Sequence, residues 1–162
     1  MKPQILDKTK KKKIIAELNV FGITKIPYLL LKTGKEKIRA YSGSFSSDEL
    51  QMLGKVVPIS EVGMYFAKES INRDGKRDVR LNLDAAHVLE GQIKSNIIEL
   101  DGGQEKEWFL GKDVELEEGQ VSKGVTGFVV LKSEGDIIGV GRLNADKKMI
   151  SNYMPKERRV RV

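Results

Sequence analysis

Residues 125–162 read VTGFVVLKSEGDIIGVGRLNADKKMISNYMPKERRVRV, and this stretch decides the predicted fold. Short apolar segments alternate with two tight turns, at Ser133–Asp136 and Asn144–Lys147. Closely spaced short strands joined by such turns are typical of a compact, mainly antiparallel barrel. The predicted strands are Val125–Lys132, Ile137–Leu143, Met149–Tyr153 and Arg158–Val162.

The residues before this stretch add the remaining elements of the same domain. Ile97–Leu100 and Lys112–Leu116 are predicted strands, and Asp101–Leu110 is a short helix that closes at Gly111. We therefore predict a C-terminal β pseudo-barrel at residues 89–162.

The first 88 residues predict a separate small α/β domain. Helices are expected at Thr9–Leu18, capped by Thr9, and at Ser44–Gly54, with a further helical turn at Leu83–Leu89. The whole chain is thus of the α+β class. The expected strands are Pro27–Lys32, Ile38–Ser42, Val56–Ile59, Val62–Lys68 and Asp78–Leu83.

Composition narrows the functional classes. The chain has 162 residues and no cysteine, which excludes disulfides, thiolate metal sites and cysteine nucleophiles. Its longest apolar run, Ile26–Leu31, is far shorter than the roughly 20 residues that cross a bilayer. The basic N-terminus is not followed by the apolar segment of a signal peptide. We expect a cytoplasmic protein without a membrane partner.

The net charge of +6 is concentrated at the two ends of the chain. Residues 1–13 carry six lysines against one aspartate, and residues 142–162 carry seven basic residues against two acidic ones. A polyanion is the natural partner for such a distribution. Solubilising tails are the alternative, and this alternative is weaker for residues 142–162, where basic and apolar residues alternate as in a strand.

No constellation of residues predicts catalysis or a cofactor. His87 is the one histidine and cannot build a zinc site, and no nucleophile motif accompanies it. Gly139–Gly141 gives a G-x-G inside a strand pattern, without the third glycine of a dinucleotide site. We expect no catalytic residues, no metal and no cofactor, although a catalytic role for His87 is kept as an alternative.

The segment Ser151–Arg161 is the most informative for function. Its arginines and lysines can contact phosphates, while Tyr153 can stack on an unpaired base and Asn152 can bond a base edge. Alternatively, Tyr153 plugs the barrel. Gly139 and Gly141 share one strand face, which either faces RNA or lies under the helix with Trp108.

Four motifs of the second half of the chain occur in a recognisable order: IIELD (97–101), WFLGKD (108–113), GDIIGVGR (135–142) and NYMPKERR (152–159). Together they resemble a PUA domain, most closely the one appended to Sun-type RNA cytosine-C5 methyltransferases. The two-part layout also resembles small ribosome-biogenesis proteins with a pre-PUA domain before the PUA. The resemblance implies binding of structured RNA through the glycine strand, an adjoining loop and the basic C-terminal strand.

We therefore expect a non-catalytic RNA-binding protein that docks on rRNA or tRNA as an accessory of ribosome biogenesis or RNA modification. Alternatively, it is an interaction subunit that positions a separate RNA-modifying enzyme or ribosome-assembly factor. The methyltransferases carry a catalytic domain with two cysteines, which this chain lacks. The candidate RNA-binding residues are Gly139, Gly141, Arg142, Lys147, Lys148, Asn152, Tyr153, Lys156, Arg158, Arg159 and Arg161.

Overall fold

A computed structural model describes residues 2–162, which divide into two compact units, the first ending at Ala85 and the second spanning Ala86–Val162. The dividing point lies inside helix α3 (Leu83–Val88), and the predicted boundary between residues 88 and 89 lies at the end of that helix. Each unit contains one five-stranded sheet.

The sheet of the first unit is an antiparallel meander in which each strand pairs with its neighbours in sequence. Two of the four connections are tight turns, for example Asn72–Lys76 between the last two strands, where the amide of Asn72 donates to the oxygen of Lys76. The other two connections contain the helices of this unit. The strands are β1 (Gln4–Ile5), β2 (Leu29–Thr33), β3 (Lys37–Tyr41), β4 (Met64–Ile71) and β5 (Arg77–Leu81).

Two helices accompany this sheet, α1 (Lys8–Leu18) and α2 (Ser47–Val56). The buried side chains Ile14 and Leu18 of α1 join Phe21, Ile38 and Phe66 in the core. A 3₁₀ turn at Asn19–Phe21 follows α1 and ends at Gly22 in the left-handed conformation.

Two predictions about the first unit are wrong. Asp7, not Thr9, caps α1, because its carboxylate accepts the amide of Lys10 at 2.8 Å. Val56–Ile59 is not a strand: α2 continues to Val56, and the amide of Val57 still donates to the oxygen of Leu53. The β-branched valines were outweighed by the capping box between Ser46 and Glu49, which starts this helix firmly.

The second unit combines a mixed sheet with one helix, α4 (Gly102–Phe109). Its strands are β6 (Ile97–Glu99), β7 (Val114–Glu115), β8 (Phe128–Ser133), β9 (Asp136–Leu143) and β10 (Met149–Ser151). Their order across the sheet is β6, β8, β9, β10 and β7, with β6 parallel to β8 and all other pairs antiparallel. This mainly antiparallel arrangement agrees with the predicted class.

Local chemistry explains the central hairpin of this sheet. Glu134 and Gly135 connect β8 to β9, and both have positive φ, 51° and 87°, as a two-residue turn between right-twisted strands requires. The core beneath includes Trp108, Val129, Leu131 and Ile150. It lies between α4 and the sheet, and so fixes the helix against the glycine-containing strand β9.

The predicted strand Arg158–Val162 is also wrong. Lys156–Arg158 forms a 3₁₀ turn after Pro155, and residues 159–162 have no regular secondary structure. The segment is nevertheless attached to α4, because the amide of Val160 donates to the oxygen of Phe109 at 2.8 Å. Alternation of basic and apolar residues imitated a strand, but this single main-chain bond to the C-terminal end of α4 is not a strand ladder.

Candidate nucleic-acid interface

Gly139 and Gly141 are buried beneath Trp108 and do not line an open surface. A β-carbon on Gly139 would overlap the Trp108 ring, and one on Gly141 would overlap the Ile150 side chain. Trp108 is only 1% exposed, and its Nε1 donates to the oxygen of Ile138 at 3.1 Å. The structure thus places both glycines where close helix packing needs bare backbone, which is one of the two readings that the sequence left open.

Asn152 uses its whole side chain inside the domain. Its Nδ2 donates to the main-chain oxygens of Trp108 and Lys112, each at 2.8 Å, and its Oδ1 accepts the amide of Met154 at 2.8 Å. Its own amide donates to the Asp113 carboxylate at 2.9 Å. These bonds satisfy one carbonyl in the last turn of α4 and one just after it, so Asn152 holds the C-terminal segment in place and has no donor left for a base.

Arg159 has a similar internal position. Its Nε donates to the oxygen of Met154 at 3.1 Å, and its side chain occupies the space where a β-carbon on Gly111 would lie. Gly111 has φ of +82°, the left-handed conformation that ends α4. Part of the Arg159 charge remains accessible, because the residue is half-buried and not enclosed.

A cluster of three side chains forms the most distinctive surface feature of this unit. Phe128 on β8 is directly opposite Arg142 on β9, whose guanidinium carbon lies 4.9 Å from the Phe128 ring centroid. Tyr153, just after β10, packs edge-on against Phe128 with centroids 6.2 Å apart and planes at 64°. We call Phe128, Arg142 and Tyr153 the aromatic–arginine cluster.

The cluster is held in place by main-chain contacts of its neighbours. Buried Asn96 donates from Nδ2 to the oxygens of Phe128 and Thr126, at 2.6 and 2.8 Å, which fixes the start of β8. Arg142 is also paired with Ser151 of β10, two residues before Tyr153. Tyr153 is 39% exposed, while Phe128 and Arg142 are half-buried, so a planar ligand group such as a nucleic-acid base can reach the cluster from solvent.

Such a cluster can stack an unpaired base and neutralise a phosphate. Aromatic rings and the guanidinium plane are the surfaces on which splayed-out RNA bases stack. Arg142 and Tyr153 are among the residues predicted from the sequence, whereas Phe128 is not. Regular counting back from the Glu134–Gly135 turn would place Phe128 opposite Gly141, and the register shift between Leu131 and Lys132 brings it opposite Arg142 instead.

The remaining basic candidates lie in two different electrostatic settings. Lys156, Arg158 and Arg161 are exposed on the 3₁₀ turn and the final residues. Lys147 and Lys148, in contrast, line a recess with four carboxylates and therefore lie in a negative environment. Those carboxylates belong to Glu115, Glu117, Glu118 and Asp146.

Other kinds of site have no support in the part of the chain that the structure describes. Residues 2–162 contain no group of three or more histidine or acidic side chains placed to hold a metal ion. Within the same range, none of the helices is both long and apolar enough to cross a membrane. His87 is exposed on α3.

Comparison with known proteins finds similarity in the second unit. Residues 95–160 match the family model described as the methyltransferase RsmF PUA domain. Two relatives, both named ribosomal RNA small subunit methyltransferase F, come from Vibrio cholerae serotype O1 strains M66-2 and ATCC 39315. Each is 33% identical over 82 residues, which is 51% of this chain but only 16% of the relative's own length.

Proposed function

We propose that this chain is a non-catalytic protein that docks on structured rRNA or tRNA, since residues 95–160 match the family model of the methyltransferase RsmF PUA domain. The observation that carries the proposal is the aromatic–arginine cluster. Its three side chains offer stacking surface and positive charge at one accessible place on an ordered sheet.

Exposed cations beyond the cluster supply the sequence-independent part of binding. Tyr153 begins the segment that leads to Lys156, Arg158 and Arg161, all exposed. Contacts from such side chains to phosphates fix orientation on RNA without reading its sequence. The bonds from Asn152 to Trp108 and from Val160 to Phe109 keep this segment attached to α4, so the charges are presented from a fixed position.

The name of the relatives makes small-subunit rRNA the first ligand to test. The match covers the PUA domain alone, and the chain has none of the cysteines that the resemblance implies for a catalytic domain of that type. We therefore assign this chain an accessory role in rRNA modification or ribosome biogenesis, with the chemistry performed elsewhere.

Fluorescence anisotropy with fragments of small-subunit rRNA and with tRNA tests this function. Replacing Tyr153 by Ala should weaken binding by about 1–3 kcal/mol, the usual contribution of one stacked base. Tyr153→Phe keeps the ring and should bind like the wild type, and Arg142→Gln should weaken binding as well. Absence of binding to either RNA at low salt would refute the function, whereas equal affinities of Tyr153→Ala and Tyr153→Phe would refute the site.

A second candidate function is recruitment of a separate RNA-modifying enzyme. It is supported by α2, which leaves Met52 65% and Val56 82% exposed, four residues apart on one side of the helix. Apolar side chains grouped in this way are common where proteins meet. Retention of a partner enzyme after nuclease treatment, lost on Met52→Gln with Val56→Gln, would support this candidate, while loss on nuclease treatment alone would reject it.

A further inference from the structure

The lysines of α1 lie where they oppose the stability of their own helix. Asp7 places one negative charge at the cap, but Lys8 and Lys10 follow in a first turn that has no acidic residue, and Glu17 stands near the other end. The N-terminus of a helix carries partial positive charge and its C-terminus partial negative charge. Cations at the beginning of α1 and an acid near its end are therefore both unfavourable.

Helix α2 of the same unit has the opposite, favourable arrangement. Asp48 and Glu49 occupy its first turn, and Lys55 occupies its last. The contrast indicates that the reversed charges of α1 are a property of this helix and not of the composition of the unit.

Spacing along α1 adds repulsion between like charges. Lys8 and Lys12 are four residues apart, and Lys10 and Lys13 are three apart, so each pair lies on one side of the helix. All four residues are exposed. Within residues 2–162, none of these four side chains forms an ion pair with a carboxylate.

Lys11 is different and orients the helix. Its Nζ donates to the oxygen of Tyr28 at 2.7 Å, and partial burial lowers the pKa of Lys11. With Ile14 and Leu18 it forms the inward side of α1. The other lysines are thus presented to solvent by an ordered helix and do not belong to a flexible tail.

Positive charge continues from α1 into a neighbouring recess. Lys10 lines it together with Lys32 and Arg77. Between the last two lies the buried carboxylate of Glu69, whose oxygens are 2.6 Å from the Lys32 nitrogen and 2.7 Å from an Arg77 nitrogen. Two cations share one carboxylate, so an excess positive charge remains there. In the adjoining recess Lys35 and Glu36 contribute opposite charges, and Glu36 is also paired with Lys68 at 3.0 Å.

We propose that the exposed lysines of α1 and this recess bind the phosphate backbone of RNA, as a second contact surface in the first unit. An RNA backbone fits because it is a continuous polyanion, which can compensate both the exposed lysines and the recess and requires no base reading. The proposal shares only its ligand with the proposed function, because the PUA match begins at residue 95, beyond this unit.

The test is the salt dependence of RNA affinity for the full chain. A variant with Lys8, Lys10, Lys12 and Lys13 replaced by Gln retains helix-forming side chains but loses four charges. Each lost phosphate contact should flatten the log–log salt slope by about 0.7–0.9, so the whole variant should flatten it by roughly 3. Affinity at low salt should fall by at least about ten-fold, to the same degree for an oligouridine and for an rRNA fragment.

A matched control removes four exposed lysines from elsewhere, with Lys55, Lys94, Lys106 and Lys123 replaced by Gln. It should leave the slope within about 1 of wild type.

If the α1 variant behaves like this control, the proposal is overturned while the proposed function stands. A loss for the α1 variant with none for Tyr153→Ala would support the proposal and reject the cluster. Polyglutamate, a mimic of an acidic protein, is tested in parallel. If the α1 variant loses binding to polyglutamate but not to RNA, the proposal is overturned in favour of an acidic protein partner.

Discussion

Asn152 donates a hydrogen bond from its side-chain amide to the main-chain oxygen of Trp108 at 2.8 Å, directly at the end of α4. The same amide also reaches the oxygen of Lys112. The Asn152 side chain, which could hydrogen-bond a base edge, therefore stabilises the end of a helix instead. Its place in the N-Y-x-P motif is explained by folding, because it fixes the start of the segment that carries Tyr153.

Replacing Asn152 by Ala should lower the free energy of unfolding by about 1–3 kcal/mol, because the main-chain oxygens of Trp108 and Lys112 and the amide of Met154 each lose a hydrogen bond. Asn152→Asp should be at least as damaging, since it places negative charge against two carbonyl oxygens. Thermal unfolding measures both effects. RNA affinity of the folded Asn152→Ala protein should fall by less than that of Tyr153→Ala, because the stacking ring is kept while its segment is held less firmly. A loss of affinity without any loss of stability would contradict the structural role.

Gly139→Ala should destabilise the second unit by about 1–3 kcal/mol, because the added methyl group overlaps the buried Trp108 ring. Gly102→Ala is the matched control: its β-carbon would meet nothing within 4 Å, and the residue lies in α4. That control should be neutral or slightly stabilising. Denaturant unfolding of both variants provides the comparison, and equal effects would contradict the packing explanation.

A double variant sharpens the test at Gly139. When Trp108 is shortened to Leu, the added methyl group of Gly139→Ala has room. The cost of the pair should then be smaller than the sum of the two single costs, as expected for residues in contact. Additive costs would mean that Gly139 is required for another reason.

Local chemistry made much of the fold predictable from sequence. The Ser133–Asp136 turn contains Gly135, which adopts the positive φ that the turn needs. The capping sequence that begins at Ser46 predicts the start of α2. Both signals act over a few residues, so the residues themselves specify the structure. The apolar run at Val56–Ile59 was misread because strand propensity is weak compared with an established helix ladder.

The site was less predictable, because partners distant in sequence decide what a side chain does. Asn152 contacts oxygens about forty residues away, at Trp108 and Lys112, and neither contact has a local signature. Gly139 was recognised as bare backbone, but only the packing shows that Trp108 covers it. Phe128 was missed because a lone aromatic residue at a strand end looks like any core residue.

The capping box of α2 should produce a defined pH dependence of stability. Hydrogen bonds from the amide and hydroxyl of Ser46 lower the pKa of Glu49 below its usual value of 4.5. A folded pKa below the unfolded one means that this contribution is present above the unfolded pKa and is lost as pH falls through the folded pKa. The stability advantage of wild type over Glu49→Gln should therefore be largest near neutral pH and vanish in acid.

Thermal unfolding of both proteins between neutral pH and about pH 3 measures this difference. Gln can still accept the bond from the Ser46 amide, so the comparison isolates the charge. Glu118→Gln, on an exposed loop, serves as the control and should show no such trend. A constant difference between wild type and Glu49→Gln across the pH range would mean that the ionised carboxylate contributes nothing.

Replacing Lys8 by Glu should raise the thermal stability of the protein, an unusual result for a surface substitution at a proposed binding residue. The change removes an unfavourable cation from the first turn of α1, ends its repulsion with Lys12 and supplies an acid to the helix N-terminus. Each of these effects is worth a few tenths to about 1 kcal/mol, which corresponds to a rise in Tm of about 2–5 °C. The gain should shrink at high salt, because exposed charges are screened.

The same variant should bind RNA more weakly than wild type, since a carboxylate replaces a phosphate contact. Glu17→Lys, at the other end of α1, is the matched control: it should also stabilise the helix through its dipole, but it adds a charge and should not weaken RNA binding. If Lys8→Glu raises the Tm and weakens RNA binding, the lysine at this position lowers the stability of α1 and strengthens its contact with RNA. A higher Tm with unchanged affinity would leave the reversed charges of α1 without a role in RNA binding.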